Sequence, residues 1–313
     1  MNKKILKKGL IVGPSGIGNV HFREFLRNGF NNIAFIGKSK FKKRTFNITT
    51  NKIKNFKLTN IQNFANIKKF KPEVTSICSP FTKHKDHILK CKKYSKYLIV
   101  EKPFLWSAIK LKKDRNFEIA SNLLANSNNK IAVNLPMVSL AKQLVLKKEA
   151  PSIVRFFKFS YFTKGKQTYE NIAVDLLPHA LSFILTILKK STVKLKIFSI
   201  KKKKLEWSCR IKINETLCIF QFKQDILFKE SILKFNINKD HYKRFQKDVK
   251  KERLNYLLKN KKKIIYLKNP MTDYLHYLFK SFKKPNNIKK NNKLILIIMK
   301  LKENLLNFTK VNN

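Results

Sequence analysis

Three side chains stand at positions suited to moving protons or stabilising an anion. Lys102 follows the apolar run Tyr97–Val100 and Glu101, so a cation lies just beyond the end of a predicted strand. Ligands bind at the carboxyl ends of strands in open α/β sheets. Asp175 and His179 are four residues apart, so on a helix they face the same way. Histidine exchanges protons near neutral pH and lysine stabilises a developing negative oxygen, so this set suits acid–base chemistry on a hydroxyl group.

Each of these residues also has an ordinary structural explanation. A lysine is usually solvated, and a histidine on an apolar helix face is often a hydrogen-bonded core residue. Pro178 directly precedes His179 and has no N–H. That predicts the first turn of a helix at Pro178, with Asp175 near the helix start.

A glycine-rich turn near the N-terminus lies between a strand-like run and a helix-like segment. It reads Gly13-x-Ser15-x-x-Gly18 with an additional Gly16, and Ser15 stands where dinucleotide-binding turns have their second glycine. Such a turn presents backbone N–H groups and a helix N-terminus to a pyrophosphate. We therefore expect Gly13, Ser15, Gly16, Ile17 and Gly18 to bind a dinucleotide. The alternative is a strand–helix turn that only packs.

The loop after the second predicted strand bears on which dinucleotide binds. NAD-binding folds carry an acidic residue there, which holds the ribose 2′-hydroxyl. This chain has Lys38, Ser39 and Lys40 instead, with Lys43 and Arg44 nearby. A cationic loop with a hydroxyl suits a 2′-phosphate, so we predict NADP(H) over NAD(H). The alternative is that any loop of this lysine-rich chain would look the same.

Alternating elements predict how these residues are positioned. Short apolar strands alternate with helix-like segments up to about residue 134, which is typical of a doubly wound parallel sheet. We predict a dinucleotide-binding domain over residues 1–134. Its predicted strands are Lys8–Val12, Ile33–Ile36, Val74–Cys78, Tyr97–Val100 and Lys130–Val133, and its helices are Asn19–Asn28, Ile61–Phe70, Lys83–Tyr94 and Leu105–Asn126.

The pattern changes after residue 135, where segments of alternating hydrophobicity follow one another across short turns. That pattern predicts an α+β domain over residues 135–313 with a large, mostly antiparallel open sheet. The lysine- and asparagine-rich stretch 283–293 is expected to be a solvated loop. The predicted strands are Ile153–Phe162, Val193–Ile200, Leu205–Ile213, Thr216–Phe222 and Ser231–Ile237, and the helices are Ile172–Leu188, Pro270–Phe282 and Leu294–Phe308.

The composition is dominated by lysine. The 313 residues include 70 Lys+Arg against 18 Asp+Glu, a formal net charge of +52, and only 8 of the 70 are arginine. Proteins that read bases favour arginine, and here the charge runs along the whole chain. We therefore favour genomic base bias over a selected nucleic-acid role as its origin, with polyanion binding as the alternative. A hydrophobic content of 43% argues against wholesale disorder.

The sequence shows no clear signal for membrane insertion, secretion or cysteine chemistry. The longest uninterrupted apolar run is Leu294–Met299, so we expect no transmembrane helix. The basic N-terminus has no apolar stretch long enough for a secretory signal. The four cysteines show no metal-binding or CxxC spacing and are expected to be reduced thiols in the cytoplasm.

Taken together, the motifs resemble the glucose-fructose oxidoreductase / inositol dehydrogenase (Gfo/Idh/MocA) family over most of the chain. The tripeptide Glu101-Lys102-Pro103 at a strand end is the most specific piece. The pieces, in order, are the turn from Gly13 to Gly18 followed by His21, the segment from Ser76 to Pro80 followed by His84 and His87, Glu101-Lys102-Pro103, Asp175 with His179, and the segment from Asn269 to Asp273.

This resemblance implies a Rossmann domain and a second domain whose open sheet often serves oligomerisation. It implies hydride transfer between a nicotinamide and a hydroxyl or keto carbon of a sugar, cyclitol or related small molecule. By position, Lys102 would contact the nicotinamide ribose and the reacting hydroxyl, His179 would exchange the proton, and Asp175 would orient the substrate or His179. The family usually has small residues where Leu176–Pro178 stand here, which indicates a narrower pocket or drift toward lost activity.

Further residues complete the expected sites, and no metal is expected. His84 and His87 lie one helical turn apart but lack a third ligand. The other expected cofactor contacts are Ser79, Pro80, His84, Glu101 and Lys102, and the expected substrate contacts are Lys102, Tyr169, Asn171, Asp175 and His179.

Two rival functions remain open. The chain could be a non-catalytic Rossmann protein that binds a nucleotide as a sensor or scaffold, or a polyanion-binding protein. Under the main interpretation the partners are a polyhydroxylated small molecule and further copies of the chain, as a dimer or tetramer. No specific nucleic acid and no membrane is expected.

Overall fold

The computed structural model describes residues 7–37, 56–106, 115–189, 192–245, 255–260 and 263–308. The chain forms two compact units. The first comprises residues 1–134 and 275–293, and the second comprises residues 135–274 and 294–313. The first break follows Asn134, at the predicted domain boundary. Residues 275–293, which we predicted within the second domain, belong to the first unit.

A parallel sheet organises the first unit. Its strands are β1 (Lys7–Val12), β2 (Phe30–Ile36), β3 (Lys57–Asn60), β4 (Val74–Ile77), β5 (Tyr97–Val100) and β6 (Ile131–Val133), and its helices are α1 (Ile17–Arg27), α2 (Ile67–Phe70), α3 (His84–Cys91) and α4 (Asn116–Ala125). Over the described residues the strand order is β3-β2-β1-β4-β5-β6, with every neighbouring pair parallel. The order reverses between β1 and β4, where open α/β sheets bind ligands. The predicted doubly wound sheet is confirmed.

Close packing of aromatic rings fixes helix α1 on this sheet. A Cβ added at Gly9 of β1 would collide with the ring of Phe25 from α1. The Phe25 ring also meets Phe30 at 4.8 Å and Phe279 at 5.1 Å, both edge-on. Gly9 is therefore required because the helix lies directly on the strand.

Two predicted helices of this unit are shorter in the structure. The segment predicted as Ile61–Phe70 is a 3₁₀ turn, Phe64–Asn66, followed by α2. The Asn63 side chain accepts a hydrogen bond from the Asn66 N–H at 3.2 Å, which starts this turn. The segment predicted as Leu105–Asn126 is helical only at Asn116–Ala125 among its described residues. Residues 104–106 are instead buried without regular structure, because they pack into the core.

A second, larger sheet organises the second unit. Its strands are β7 (Phe156–Thr163), β8 (Leu195–Lys203), β9 (Glu206–Ile213), β10 (Thr216–Gln224), β11 (Ile232–Ile237), β12 (Asp240–Phe245), β13 (Asn255–Asn260) and β14 (Ile264–Lys268), and the helices α5 (Pro136–Leu146) and α6 (Tyr169–Leu188) accompany it. The strand order over the described segments is β14-β13-β12-β11-β7-β10-β9-β8. Within those segments, only β7 and β10 pair in parallel, so the predicted mostly antiparallel sheet is confirmed.

Helix α6 forms the core of this unit against one face of the sheet. It packs on β7, β9 and β10. The ring of Phe183 stacks on Phe157 at 5.4 Å and lies 4.9 Å from Phe235. All three side chains are fully buried. The sheet residues that alternate with this buried set point away from α6.

These outward-pointing residues of β7, β9, β10 and β11 are called the outer face. Apolar and cationic side chains alternate on it, and Ile219 pairs across the sheet with Arg210 and with Lys158. Ser160 donates a hydrogen bond to Gln221 at 3.1 Å across two of its strands. The cations of the outer face are Lys158, Arg210, Lys212, Lys223 and Lys234, and its one carboxylate is Glu206.

Helix α6 is also the one described helix that is long and apolar enough to cross a membrane. Its most apolar 18-residue window has a mean hydropathy of 1.7, and 78% of that window is buried. A core helix of this length passes the same test, so the finding is weak evidence for a membrane span. Our sequence criterion, an uninterrupted apolar run, missed this helix because Asp175 and Pro178 interrupt it.

The C-terminal residues form two helices, α7 (Pro270–Ser281) and α8 (Pro285–Asn307). The predicted solvated loop at residues 283–293 is wrong, since α8 already begins at Pro285. Proline fits the first turn of a helix. Further along the helix, the Asn291 side chain accepts a hydrogen bond from the Val133 N–H at 2.9 Å and donates one to the Val133 carbonyl at 3.0 Å. The polar composition of this stretch indicates a loop and gives no sign of these buried contacts.

Candidate functional site

The glycine turn joins β1 to α1 at the reversal point of the first sheet. Gly13 has φ +85°, and a Cβ there would lie 2.8 Å from the Ser79 nitrogen and 2.9 Å from the Cys78 carbonyl. Its N–H donates to the Ile36 carbonyl at 2.9 Å. The turn is therefore pressed between the ends of β2 and β4, and glycine is required at this position for both its conformation and its lack of a side chain.

The other turn residues differ in how closely they are packed. A Cβ at Gly18 would collide with the Gly13 carbonyl, so the first turn of α1 lies directly against the strand end. Gly16 is exposed, has φ +53°, and has no heavy atom within 4 Å of an added Cβ. Ser15 is also exposed, and Ile17 begins the helix. The open backbone at Gly16 lies beside the position where Ser15 replaces a glycine, so a phosphate can approach the turn there.

The loops after β4 and β5 are joined by His84. One ring nitrogen lies 2.9 Å from the Ser79 carbonyl oxygen, and the other lies 3.0 Å from that of Pro103 and 3.1 Å from that of Phe104. The Ser79 hydroxyl is 2.8 Å from a ring nitrogen of His87, whose ring packs at 4.9 Å on Phe64. The structure thus brings Ser79, His84 and the segment after Lys102 together, while Pro80 is exposed.

A buried polar network underlies the Glu-Lys-Pro segment. The Glu101 carboxylate accepts hydrogen bonds at 2.6 Å from the His21 ring and at 2.6 Å from the Asn134 amide. The other His21 nitrogen lies 2.9 Å from the Ser76 hydroxyl. Burial by itself would raise the pKa of Glu101, but the bonds from His21 and Asn134 and the charges of His21 and Lys102 together lower it. Glu101 is therefore a buried anion of the framework, next to the half-buried Lys102.

The sequence offered only a partial signal for this network. His21 is one of the motif residues of the family resemblance, but no sequence pattern distinguishes Asn134. Both lie in different elements from Glu101, and only the folded sheet brings them together. Lys38 and Ser39, on which the predicted NADP(H) preference depends, lie outside the described residues.

In the second unit, Asp175 and His179 lie on α6, which begins at Tyr169. His179 is 8% exposed, and its ring meets that of Tyr161 edge-on at 5.4 Å. Asp175 is half-buried, as are Tyr169 and Asn171 in the first turn of the helix. The expected substrate residues of this unit therefore share one helix, with His179 the most enclosed of them.

Pro178 is not in the first helical turn, and that prediction is wrong. The helix runs nine residues before it, so proline sits inside the helix and the Val174 carbonyl lacks the usual N–H partner four residues on. Leu176, Leu177 and Pro178 are all buried, which shows that packing of α6 into the core outweighs the cost of an interior proline.

Sequence reasoning missed Lys302 on α8, which is fully buried. Burial lowers the pKa of its amine to about 7, while the charges of Glu303 and Asp175 act in the opposite direction. Asp175, one of the three residues proposed for chemistry, therefore interacts electrostatically with a buried amine. No sequence signal distinguished this lysine from the many others.

The described residues hold neither a metal-binding cluster nor a reactive thiol. Across the described ranges, no three His, Cys, Asp or Glu side chains are grouped so as to hold a metal ion. All four cysteines are free and buried, and burial raises the pKa of each thiol. A buried thiol with a raised pKa is a poor nucleophile.

Comparison with known families bears on the first unit. Residues 7–128 match the model of the GFO_IDH_MocA family, described as an oxidoreductase family with an NAD-binding Rossmann fold. This part of the chain is similar to the Gfo/Idh/MocA oxidoreductases. The resemblance inferred from the Glu-Lys-Pro segment and the glycine turn is confirmed. The matched family is described as having an NAD-binding Rossmann fold.

Comparison with solved structures covers both units of the chain. The chain is similar to the WlbA (WbpB) dehydrogenase from Thermus thermophilus in complex with NAD and UDP-GlcNAcA, with 9% identity, 98% of this chain and 97% of that chain covered, and a TM-score of 0.63. It is similar to the UDP-N-acetylglucosamine 3-dehydrogenase GnnA from Acidithiobacillus ferrooxidans, with 9% identity, 96% and 99% covered, and a TM-score of 0.65.

A third similar structure is an oxidoreductase from Agrobacterium radiobacter in complex with NAD+, L-tartaric acid and magnesium, with 12% identity, 93% and 94% covered, and a TM-score of 0.57. At these identities the structures show a shared fold. A sequence search of curated proteins finds no match.

Proposed function

We propose that the protein is an NAD(P)-dependent oxidoreductase that transfers hydride between a nicotinamide and a hydroxyl or keto carbon of a sugar-derived small molecule. The observation that carries this proposal is the family match over residues 7–128, which include the glycine turn at the start of α1 with its open position at Gly16. Similar structures hold UDP-GlcNAcA or L-tartaric acid, which supports a polyhydroxylated substrate.

The turn residues fit a dinucleotide. Gly13 and Gly18 allow the turn to lie tightly on the sheet. The backbone N–H groups of the exposed Ser15 and Gly16 and of the half-buried Ile17 would hold the pyrophosphate. Gly16 would provide the close backbone approach that Ser15 cannot. When bound, the nicotinamide supplies or accepts the hydride. Ser79 and Pro80, at the end of the neighbouring strand, would line the same site.

The proposed chemistry assigns one role to each polar side chain. Lys102 is half-buried beside the ionised Glu101, and its cation would stabilise the substrate oxygen as negative charge develops. His179 would take the hydroxyl proton during oxidation and return it during reduction. Asp175 would orient the substrate or His179, and Tyr169 and Asn171 would contact the substrate. Glu101 would act on the cofactor site through Lys102.

The cofactor preference is proposed as NADP(H) over NAD(H). Its basis is the sequence after β2, where Lys38 and Ser39 stand in place of the carboxylate that binds a ribose 2′-hydroxyl. A ratio of Michaelis constants measures this preference, and a lower value for NADH than for NADPH would contradict it.

The assembly proposed for this enzyme is a homo-oligomer in the cytoplasm, with no specific nucleic acid and no membrane as partner. The outer face supports self-association, since its apolar residues are only partly covered within the described chain. The polyanion alternative has a clear test, because binding to duplex DNA through lysines weakens steeply as salt rises. Steeply salt-dependent binding that persists at physiological ionic strength would favour that alternative.

The decisive experiment is a thermal-shift screen with NADP(H) and NAD(H), followed by turnover assays on sugar, sugar-nucleotide and cyclitol panels. A ligand that binds only the folded protein raises the melting temperature. On the substrate found, Lys102→Ala and His179→Ala are each expected to reduce turnover at least tenfold. Wild-type kinetics in both variants would refute the assignment, and cofactor binding without turnover on any panel would favour a sensor or scaffold.

A further inference from the structure

His84 connects two loops of the first unit through main-chain atoms only. It is 1% exposed, and its ring nitrogens face the carbonyl oxygens of Ser79 on one side and of Pro103 and Phe104 on the other. A carbonyl oxygen only accepts hydrogen bonds, so a ring nitrogen facing one must donate. A ring protonated on both nitrogens holds both loops, and a neutral ring donates to one of them.

The two loops are those on which the proposed function depends. Ser79 follows β4 and lies against the glycine turn, since its nitrogen would be 2.8 Å from a Cβ at Gly13. Pro103 and Phe104 directly follow Lys102. Across the described residues of this region, His84 therefore joins the loop beside the cofactor turn to the segment that carries the lysine.

The charges around His84 oppose one another. Burial lowers the pKa of the ring, and the hydrogen bonds to Ser79, Phe104 and Pro103 and the charge of Glu101 oppose this shift without cancelling it. At neutral pH the neutral ring therefore donates to one loop and contacts the carbonyl side of the other. His87, one turn along α3, also interacts electrostatically with His84.

We propose that His84 is a positioning residue that sets the place of Lys102 by tying the segment after it to the Ser79 loop. This role rests on the proposed function of Lys102. It replaces the direct contact with the cofactor that the sequence suggested for His84, because both ring nitrogens already face main-chain carbonyls. Small displacements of a group that acts on the reacting atoms can slow a reaction about a hundredfold.

The test compares His84→Gln and His84→Phe with the wild-type enzyme. His84→Phe keeps a ring but removes the N–H donor, so kcat is expected to fall at least tenfold while the dissociation constant for the cofactor changes less than threefold. His84→Gln keeps one donating group and is expected to recover part of the lost kcat. A general loss of structure would weaken cofactor binding as well, so the split between kcat and binding distinguishes the two explanations.

His87→Gln is the matched control. His87 lies on the same helix and bonds the same residue, but it contacts the Ser79 side chain and not its carbonyl. It is expected to leave kcat within threefold of the wild type. Equal losses of kcat in the His84 and His87 variants would overturn the proposal.

Amide hydrogen exchange separates failure of this inference from failure of the proposed function. Without any substrate, His84→Gln and His84→Phe are expected to speed exchange at residues 104–106, and His87→Gln is not. Unchanged exchange in both His84 variants would overturn the positioning role whatever the enzyme does. If exchange speeds as expected but the wild type binds no NAD(P)H, the tie between the loops stands and the proposed function fails.

Discussion

Replacing Lys302 with methionine is expected to stabilise the protein at neutral pH. Lys302 is fully buried, and its pKa falls from the ordinary 10.5 to about 7. Each pKa unit corresponds to about 1.4 kcal/mol, so keeping this amine charged in the native state costs about 5 kcal/mol. At pH 7 linkage leaves about 4 kcal/mol of that cost, because the native amine is then about half protonated. Methionine has a similar length and no charge to bury.

The sign of the pH dependence follows from the lowered pKa. Between pH 7 and pH 10.5 the unfolded chain binds more protons at this residue than the native protein, so the stability of the wild type rises with pH. The advantage of Lys302→Met is therefore expected to shrink to about 1 kcal/mol at pH 10. Glu303 and Asp175 lose an attractive charge in the variant, and that loss offsets part of the gain from removing the buried amine.

Urea titrations of the wild type and Lys302→Met at pH 7 and pH 10 measure the difference, since urea adds no ionic strength. Lys300→Met is the matched control, because Lys300 is exposed two residues away on the same helix. It is expected to change stability by less than about 0.5 kcal/mol at either pH. A Lys302→Met variant that is less stable than the wild type at pH 7, or equally shifted at both pH values, would refute the reasoning.

Three further predictions test the packing and the surface. Phe183→Ala removes a buried ring stacked in the core of the second unit and should cost about 3–5 kcal/mol in urea unfolding, whereas Leu227→Ala at an 80% exposed position should cost little. Gly18→Ala should lower the melting temperature and remove the stabilisation by cofactor, because its Cβ would meet the Gly13 carbonyl. Gly16→Ala, at an open position with φ +53°, should cost only about 1 kcal/mol. Self-association through the outer face should strengthen as salt screens its like charges, which light scattering at 0.05 and 0.5 M salt would detect; weakening with salt would count against that interface.

The parts of the fold that the sequence predicted correctly are those set by local pattern. The apolar runs that became β1, β4 and β5 are short and continuous, as buried parallel strands are. The glycine turn could be located because its conformation and close packing demand glycine at positions 13 and 18. Both signals act within a few residues, so they can be read without knowledge of the rest of the chain.

The errors arose where tertiary packing outweighs local preference. Pro178 predicts a helix start, yet it lies inside α6 because the apolar faces around it bury against the sheet. The polar start of α8 was predicted as a loop, yet Asn291 is bonded to the backbone of Val133, 158 residues away in sequence. Nothing in the neighbouring residues indicates a partner at that distance.

Burial also changes what the lysine content means. The base-bias hypothesis is consistent with lysine at many exposed positions, because an exposed lysine costs the native state little and its exact place matters little. The same explanation does not extend to Lys302, since a buried amine with a pKa of about 7 is costly to keep. Lys302 therefore differs from the exposed lysines, because its amine is buried and interacts electrostatically with Asp175 of α6. The lysine total of the sequence therefore says little about function, and the one described lysine that is fully buried says more.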